Sequence, residues 1–221
     1  MSEVKKHFDK IAPSYDSYKK RYKYYYDNLK NLLTRLIPSN KVVLEVGCGN
    51  GHLLASLNTK LGYGIDISPQ MIKIANSKYK EIKNLHFSTN NVLDFKKKEI
   101  DYIYLSDVIE HLENPEKMFL DIAKVMKKDT KLIITMVNPI WEPALIVWEK
   151  LGWKMPEGKH KRWKYFEIKN FLNKSGLKIE LHDYYLLIPV KIPLITDLAN
   201  RYLEKVFKKY AFIVYFVAKK A

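Results

Sequence analysis

The chain has 221 residues, of which 47% are hydrophobic and 29% are charged. This length and composition predict one globular domain with a sizeable core and exclude an intrinsically disordered chain. The net charge of +15 favours anionic partners such as nucleic acid, an acidic membrane surface or a phosphorylated substrate. Only four of the 39 basic residues are arginine, however, so the lysine-rich surface can equally be a solvated coat.

Cysteine content and hydropathy bear on the compartment. The single cysteine, Cys48, cannot form an internal disulfide and indicates a reducing environment. The first ten residues are polar and contain no apolar signal core. The best candidate for a membrane span, residues 184–195, is broken by Pro189, Lys191 and Pro193. We therefore expect a cytoplasmic protein, and peripheral contact with an anionic membrane remains open.

The first two thirds of the chain predict a helical cap followed by a sheet. Residues 3–11 and 14–36 have apolar positions at helical spacing and form the predicted N-terminal cap, 1–38. Strand and helix signals then alternate through the predicted core, 41–137. The predicted strands cover 42–46, 62–67, 85–88, 102–105 and 132–137, and the predicted helices cover 53–57, a segment opened by Ser68 and Pro69, and 115–126. This alternation predicts a mostly parallel, doubly wound sheet with a ligand site outside the carboxyl ends of its strands.

The last third of the chain departs from this alternation and then returns to it. Residues 139–164 combine prolines and glycines with all four tryptophans, and we interpret them as a substrate-binding insertion. Residues 165–221 then predict a helix at 165–174 closed by Gly176, a strand at 177–187, a helix at 196–208 and a final strand at 211–218.

A glycine-rich turn, Glu45-Val46-Gly47-Cys48-Gly49-Asn50-Gly51, follows the first predicted strand. Glycines allow the backbone to turn sharply and to approach a ligand closely, and loop amides can then face that ligand. An NAD-binding turn would have its third glycine at position 52, where this chain has His52. The Gly-Lys-Ser/Thr sequence of a phosphate-binding P-loop is also absent.

This acidic residue followed by G-x-G-x-G resembles the first motif of the class I S-adenosylmethionine-dependent methyltransferases. The resemblance implies a Rossmann-like fold with seven strands, the last of them antiparallel, across roughly residues 8–220. It also implies S-adenosylmethionine as the cofactor and S-adenosylhomocysteine as the product. The cofactor loop would then comprise Glu45, Gly47, Cys48, Gly49 and Gly51.

Further cofactor residues follow from the second strand. Asp66 ends that strand 19 residues after Gly47, where a carboxylate can accept two hydrogen bonds from a ribose diol. In the resembled family the acidic residue at this position does so. Ile67 and Met71 lie where family members often pack the adenine ring, although Met71 can equally be helix core.

Other cofactor contacts are implied after the third and fourth strands and near the N-terminus. Many relatives place an aspartate that accepts from the adenine amino group where this chain has Asn91 and Val92, with Asp94 as the alternative to Asn91. Ser106 would lie beside the methionine part of the cofactor. Tyr15 lies in a segment, residues 8–16, that resembles the F-D-x-I-A-x-x-Y-D opening of quinone-type C-methyltransferases, where the tyrosine helps to close over the cofactor.

Two histidines are candidate bases. His111 lies in a segment that resembles the S-x-V-x-E-H-x-x-x-P sequence of small-molecule methyltransferases, although a purely structural histidine is the alternative. His160 lies in a segment, 157–163, similar to the H-x-R-x-aromatic arrangement of the same enzymes. Neutral imidazole is a competent base near pH 7, so either could act on an acceptor. No metal site is predicted.

Three functions remain open at this level. The tryptophan-rich insertion and His160 favour an O- or C-methyltransferase acting on a small molecule or lipid precursor. The basic surface allows an RNA or protein methyltransferase, although cytosine-C5 chemistry is disfavoured because the only cysteine lies in the cofactor loop. Adenine-N6 chemistry is disfavoured because no N-P-P-Y-like element follows the fourth strand. The third hypothesis is a non-catalytic module that binds the cofactor. Neither the acceptor nor the oligomeric state follows from the sequence.

Overall fold

The computed structural model describes residues 3–152, 160–193 and 195–221. Seven strands form one sheet: β1 (Val42–Val46), β2 (Leu61–Ile65), β3 (Leu85–Ser88), β4 (Tyr102–Ser106), β5 (Lys131–Val137), β6 (Leu177–Tyr185) and β7 (Ile213–Lys220). Their order is β3-β2-β1-β4-β5-β7-β6. Strands β1 to β5 pair in parallel, whereas β7 is antiparallel to both β5 and β6. The predicted Rossmann-like sheet with an antiparallel last strand is therefore confirmed.

Helices flank the sheet, and those that begin at residues 69, 115 and 165 lie where the sequence predicts them. In the described part of the chain they are α1 (Glu3–Ile11), α2 (Tyr15–Arg21), α3 (Lys23–Leu36), α4 (Pro69–Lys78), α5 (Pro115–Val125), α6 (Glu142–Lys150), α7 (Tyr165–Lys174) and α8 (Ile195–Leu198). The side chain of Ser68 caps α4 through the Met71 N–H, and Asn114 caps α5 in the same way. Proline follows each cap, because its fixed φ suits the first helical position.

The core lies in two layers, one on each face of the sheet. Successive strand residues point to opposite faces, so Leu44 packs into one layer and its neighbour Val43 into the other. The first layer is closed by Phe119 of α5 and other side chains of α5 and α7. The second is closed by Leu29 of α3 and other side chains of α3 and α4. This arrangement is the predicted doubly wound architecture.

Two predicted helices before the third strand are wrong in extent. The segment 14–36 divides into α2 and α3 at Tyr22, which leaves the helical region with φ −104° and ψ 28°. The segment 53–57 forms only a 3-10 turn, Leu54–Ser56. The chain must extend at Leu57 because residues 58 and 60 hydrogen-bond to residues 40 and 41 on the way into β2.

The C-terminal part also differs from its prediction. The expected helix 196–208 is a single turn, α8, followed by a π-helix at Ala199–Leu203 and by turns. Thr196 and Asn200 bond the backbone of the preceding loop, at Val190 and Ile188, which holds the segment in this irregular form. Within the predicted insertion 139–164, residues 142–150 form α6, whereas Trp153, Pro156 and Gly158 lie outside the described residues. The division of the chain into a cap, core, insertion and C-terminal part stays a prediction.

The glycine-rich turn and the β6–β7 connection lie at the same edge of the sheet. The glycine-rich turn follows β1 at the carboxyl edge of the parallel strands. The connection between β6 and β7, residues 186–212, leaves the same edge, because Tyr185 and Val137 both pair with Ile213. No helix in the described ranges is long and apolar enough to cross a membrane.

Candidate active site

A cavity of about 470 Å³ opens at the carboxyl ends of β1, β2 and β4. Most residues predicted to bind the cofactor line it: Tyr15, Glu45, Gly47, Cys48, Gly49, Asp66, Ile67, Asn91, Val92 and Ser106, together with His111. Gly51, Met71 and His160 are not among the lining residues. The parallel sheet therefore collects residues from five separate chain segments at its switch point, as such sheets do.

The glycine-rich turn is shaped by positive backbone angles and by close neighbours. The φ angles are +77° at Gly47, +52° at Gly49 and +77° at Gly51, a region that side chains rarely adopt. A Cβ on Gly47 would lie 2.4 Å from the Val108 side chain, and one on Gly51 would lie 2.6 Å from Phe87. Gly51 does not line the cavity, but its positive φ and its closeness to Phe87 require a glycine at this point of the turn.

Asp66 joins the two loops that form the cavity floor. Its carboxylate accepts one hydrogen bond from the Gly49 N–H and one from the Ser68 N–H, each at 2.8 Å. Burial nevertheless raises the pKa of Asp66 above its usual value. A carboxylate has about four acceptor positions, so both oxygens keep capacity for hydroxyl donors from the cavity.

The N-terminal helices cover this floor. Asp9 of α1 accepts a hydrogen bond from Ser68 Oγ at 2.6 Å, and Asp16 of α2 accepts from Asn50 Nδ2 at 2.7 Å. A Cβ on Gly49 would lie 3.3 Å from the Tyr15 ring. These contacts hold the Tyr15 ring against the glycine-rich turn. Closure of Tyr15 over the cofactor stays a prediction.

Lys19 of α2 also lines the cavity, and the sequence analysis missed it. Its Nζ lies 4.9 Å from the centroid of the Tyr15 ring and 4.7 Å from that of Tyr26, a cation–π arrangement. Burial lowers the pKa of Lys19 to about 8 and raises that of Glu45 to about 8. The spacing of Tyr15 and Lys19, four residues apart on one helix, is the signal that could have identified this residue.

Burial of these two groups makes the stability of the cofactor-free protein depend on pH. Glu45 has a pKa of about 8 in the folded protein, above its ordinary value of 4.5. Its contribution to the free energy of unfolding is therefore fully present below pH 4.5 and is lost as the pH rises to 8. Lys19 has a pKa of about 8 in the folded protein, below its ordinary value of 10.5. Its contribution to the free energy of unfolding is therefore fully present above pH 10.5 and is lost as the pH falls to 8. We expect the free energy of unfolding to pass through a minimum near pH 8.

Thermal unfolding between pH 5 and pH 10 measures this dependence. The decline from pH 5 to pH 8 should amount to a few kcal/mol at most, since one pKa unit corresponds to about 1.4 kcal/mol. Glu45→Gln should remove that decline, because glutamine does not titrate. Equal slopes for the two proteins between pH 5 and pH 8 would contradict the assignment.

Two adenine-site predictions have different outcomes in the geometry. Met71 is fully buried against Ile11 and Ala12, which matches its alternative interpretation as helix core. Asn91 lines the cavity and Asp94 is not among its lining residues, which favours Asn91 of the two. The side chains form a reciprocal cap: Asn91 Oδ1 accepts from the Leu93 N–H, and Asp94 accepts from the Asn91 N–H. A contact between Asn91 and adenine stays a prediction.

The two candidate bases are neighbours, but only one lines the cavity. The ring of His111 packs edge-on to Phe8 with centroids 5.3 Å apart, and the His160 ring lies 6.3 Å from that of His111. His160 Nε2 lies 3.0 Å from Glu142 Oε1. Glu142 on α6 therefore holds His160 beside His111 and outside the cavity lining, and a role of His160 as a base or in acceptor binding stays a prediction.

Glu142 is a second residue that the sequence analysis missed. It accepts hydrogen bonds from Arg162 Nε and, when His160 carries the proton on Nε2, from His160. Burial opposes ionisation of Glu142, but these hydrogen bonds outweigh it and lower its pKa. Arg162 also donates to Glu110 at 3.3 Å. No motif connects these residues, since they come from three chain segments.

The sheet order, the glycine-rich turn after β1 and the acidic residue after β2 together define the class I, Rossmann-like methyltransferase fold. Solved structures agree: a methyltransferase from Thermotoga maritima, described as dependent on S-adenosylmethionine, superposes with a TM-score of 0.74 at 16% identity. That superposition covers 99% of this chain and 100% of the other.

Sequence comparison identifies the family. A model described as a methyltransferase domain matches residues 17–182, so the chain belongs to this methyltransferase family, and its cofactor is S-adenosylmethionine. An uncharacterized protein of Methanocaldococcus jannaschii is 32% identical over 75% of this chain and 74% of its own. The malonyl-[acyl-carrier protein] O-methyltransferase of a Marinomonas species is 29% identical over 62% of this chain. The matched region covers 52% of that relative's length.

The cavity fits this cofactor. Among the described residues, Glu45 Oε2 is buried in the cavity wall without a hydrogen-bond partner, and an α-ammonium group could supply one. Asp66 has acceptor capacity for a ribose diol, and Ile67 and Val92 offer apolar surface for a flat base. Ser106 forms the cavity wall at the end of β4. Its Oγ lies 2.8 Å from Thr135 Oγ1, and the two hydroxyls are hydrogen-bonded to each other.

Proposed function

We propose that this methyltransferase transfers the methyl group to an oxygen or an acidic carbon of a small molecule or lipid precursor. The observation that carries the proposal is the imidazole of His111 in the wall of the cofactor cavity, with His160 and Glu142 behind it. Such nucleophiles lose a proton when they are methylated, and an imidazole at this position can accept it. Some relatives also support the proposal by their names, which include a ubiquinone biosynthesis O-methyltransferase and demethylmenaquinone methyltransferases.

The protein's share of the reaction is alignment and proton handling. S-adenosylmethionine, when bound, supplies a methyl group on a positively charged sulfur, which is open to in-line displacement. Glu45, Asp66 and Tyr15 would hold the cofactor in one orientation, and alignment of the acceptor accounts for a large part of the rate. His111 would take the acceptor proton. Glu142 would orient the His160 ring beside His111 through its contact with Nε2.

The decisive experiment has two stages. Calorimetric titration with S-adenosylmethionine and S-adenosylhomocysteine tests the cofactor site, and transfer of a tritiated methyl group then tests phenolic and lipid-like acceptors against total RNA and protein. Labelling of a phenolic or lipid-like compound supports the proposal. Labelling of RNA or protein alone would favour that alternative, and cofactor binding without any labelling would favour a non-catalytic module.

His111→Gln is expected to reduce kcat for the identified acceptor by about 100-fold to 10,000-fold, the usual contribution of a general base. The dissociation constant of S-adenosylhomocysteine should change less than about twofold, because glutamine preserves much of the local volume. His86→Gln is the matched control, since His86 is exposed on β3 at the far edge of the sheet. Equal kcat values for the two variants would mean that His111 has a structural role.

A further inference from the structure

The connection between β6 and β7 has an unusual distribution of polar and apolar side chains. Thr196 is fully buried and Ala199 is 7% exposed, whereas Ile195 is 58% exposed and Leu198 is 56% exposed. The Thr196 hydroxyl and the Asn200 amide are used for hydrogen bonds to the loop at Val190 and Ile188. The segment therefore turns its hydrogen-bonding groups inward and its large apolar groups outward, the reverse of a helix that faces water.

The apolar exposure continues beyond α8 along the same connection. Val206 is 74% exposed, and the other exposed apolar or aromatic side chains among the described residues of this connection are Val190, Ile192, Tyr202, Leu203, Phe207 and Tyr210. We call this set, with Ile195, Leu198 and Val206, the apolar platform. Single exposed apolar residues are ordinary on protein surfaces, but a series of them in one short connection marks an interaction site.

A second element extends the platform. Trp141 Nε1 donates to the Tyr210 carbonyl at 3.0 Å, so the start of α6 lies against the end of the platform. Ile146 and Val147 of α6 are about half exposed as well, at 47% and 53%. Both elements lie at the carboxyl edge of the sheet, the edge that also holds the cofactor cavity.

The charge of the connection selects among partners. Residues 186–212 contain five basic and two acidic residues. Among them Lys205 and Lys209 are exposed, and Tyr202 and Tyr210 combine an apolar ring with a polar tip. Basic residues beside outward apolar and aromatic side chains are typical of segments that lie in the headgroup region of a bilayer. A symmetric contact between two copies would bring these like charges together, which disfavours self-association.

We propose that the apolar platform docks this protein onto the surface of an anionic lipid bilayer. The apolar side chains would enter the boundary between headgroups and acyl chains, and the lysines would contact the anionic headgroups. Because the platform and the cavity share one edge of the sheet, docking brings the cavity close to the lipid surface. The platform contributes no residue to the cofactor cavity, so its docking is independent of the choice of acceptor.

The first test measures sedimentation of the purified protein with vesicles of phosphatidylcholine alone and of phosphatidylcholine mixed with phosphatidylglycerol. Binding to the mixed vesicles, and much weaker binding to the neutral ones, is expected. The double variant Leu198→Glu/Val206→Glu should bind the mixed vesicles at least about tenfold more weakly, because it removes apolar burial and adds repelling charge. Ile82→Glu is the matched control. Ile82 is 39% exposed and precedes β3, so it lies at the amino ends of the parallel strands, whereas the platform lies at their carboxyl ends.

A second pair of variants tests the electrostatic part. Lys205→Ala/Lys209→Ala should weaken binding by about fivefold for each charge removed, since one basic residue near an anionic surface contributes about 1 kcal/mol. Lys96→Ala/Lys97→Ala removes two exposed lysines before β4 and should have little effect. All variants must melt within a few degrees of the wild type and bind S-adenosylhomocysteine equally, which excludes misfolding as the cause.

Three results would overturn the proposal. The first is no binding of the wild type to anionic vesicles, and the second is equal binding by the Leu198/Val206 variant. The third is self-association of the wild type that the same variant abolishes, because the platform would then be an interface between copies. Sedimentation equilibrium of both proteins without lipid separates this third result from the first two.

Discussion

Asp66→Ala is expected to weaken binding of S-adenosylmethionine by about 100-fold or more. Hydrogen bonds to a charged group contribute about 1.5 to 3 kcal/mol each, and loss of two bonds from a ribose diol is sufficient for this effect. The substitution also removes the acceptor for the Gly49 and Ser68 amides, which lie 2.8 Å from the carboxylate. The cavity floor would therefore loosen at both loops together.

Calorimetry with S-adenosylmethionine and S-adenosylhomocysteine measures the loss, and Asp94→Ala is the matched control. Asp94 is exposed, is not among the residues that line the cavity, and accepts one backbone hydrogen bond from Asn91. Its removal should change the affinity only a few fold. If Asp94→Ala lost as much affinity as Asp66→Ala, the adenine contact would have to be reassigned from Asn91 to Asp94.

Gly47→Ala is expected to destabilise the fold by about 2 to 5 kcal/mol. A non-glycine residue in the left-handed region costs about 1 to 2 kcal/mol, and overpacking costs about 1 to 3 kcal/mol more. Both apply here, because φ is +77° and the added Cβ would lie 2.4 Å from Val108 Cγ2. The displaced turn should also weaken cofactor binding, since Gly47 lines the cavity.

Gly176→Ala separates the two causes. Gly176 has φ +70°, but a Cβ there would have no heavy atom within 4 Å. Its substitution should therefore cost only the backbone contribution of about 1 to 2 kcal/mol. Thermal unfolding of both variants measures the difference. Equal melting temperatures would mean that Val108 moves aside without cost and that the turn tolerates a side chain.

Several local features of this protein were predictable because the information lies within one segment. Short apolar runs, separated by segments whose apolar residues recur at helical spacing, indicated the parallel strands. The positions of Ser68 and Pro69 indicated the start of α4. The glycine-rich turn and Asp66 were recognisable because their spacing is set by one strand, one loop and the next strand. These features depend on backbone preferences and on periodicity, which any short window of sequence carries.

Helix extents were less predictable, because neighbouring segments override local preference. Residues 53–57 have an apolar pattern that suits a helix, yet the need to pair residues 58 and 60 with 40 and 41 ends the turn at Ser56. Residues 196–208 have helical spacing as well. Their polar side chains bond a neighbouring loop instead, and the result is one helical turn and a π-helix.

The sequence by itself determined the class of fold, and most of the residues that it predicted for the cofactor site lie in the cavity wall. Only the tertiary structure decided that Lys19 enters that wall, that Met71 packs beneath α1, and that Glu142 holds His160 behind His111. It also decided that the β6–β7 connection turns its apolar side chains outward. The physical reason is the same throughout: such contacts join residues far apart in the chain, and their partners follow from how the segments pack together.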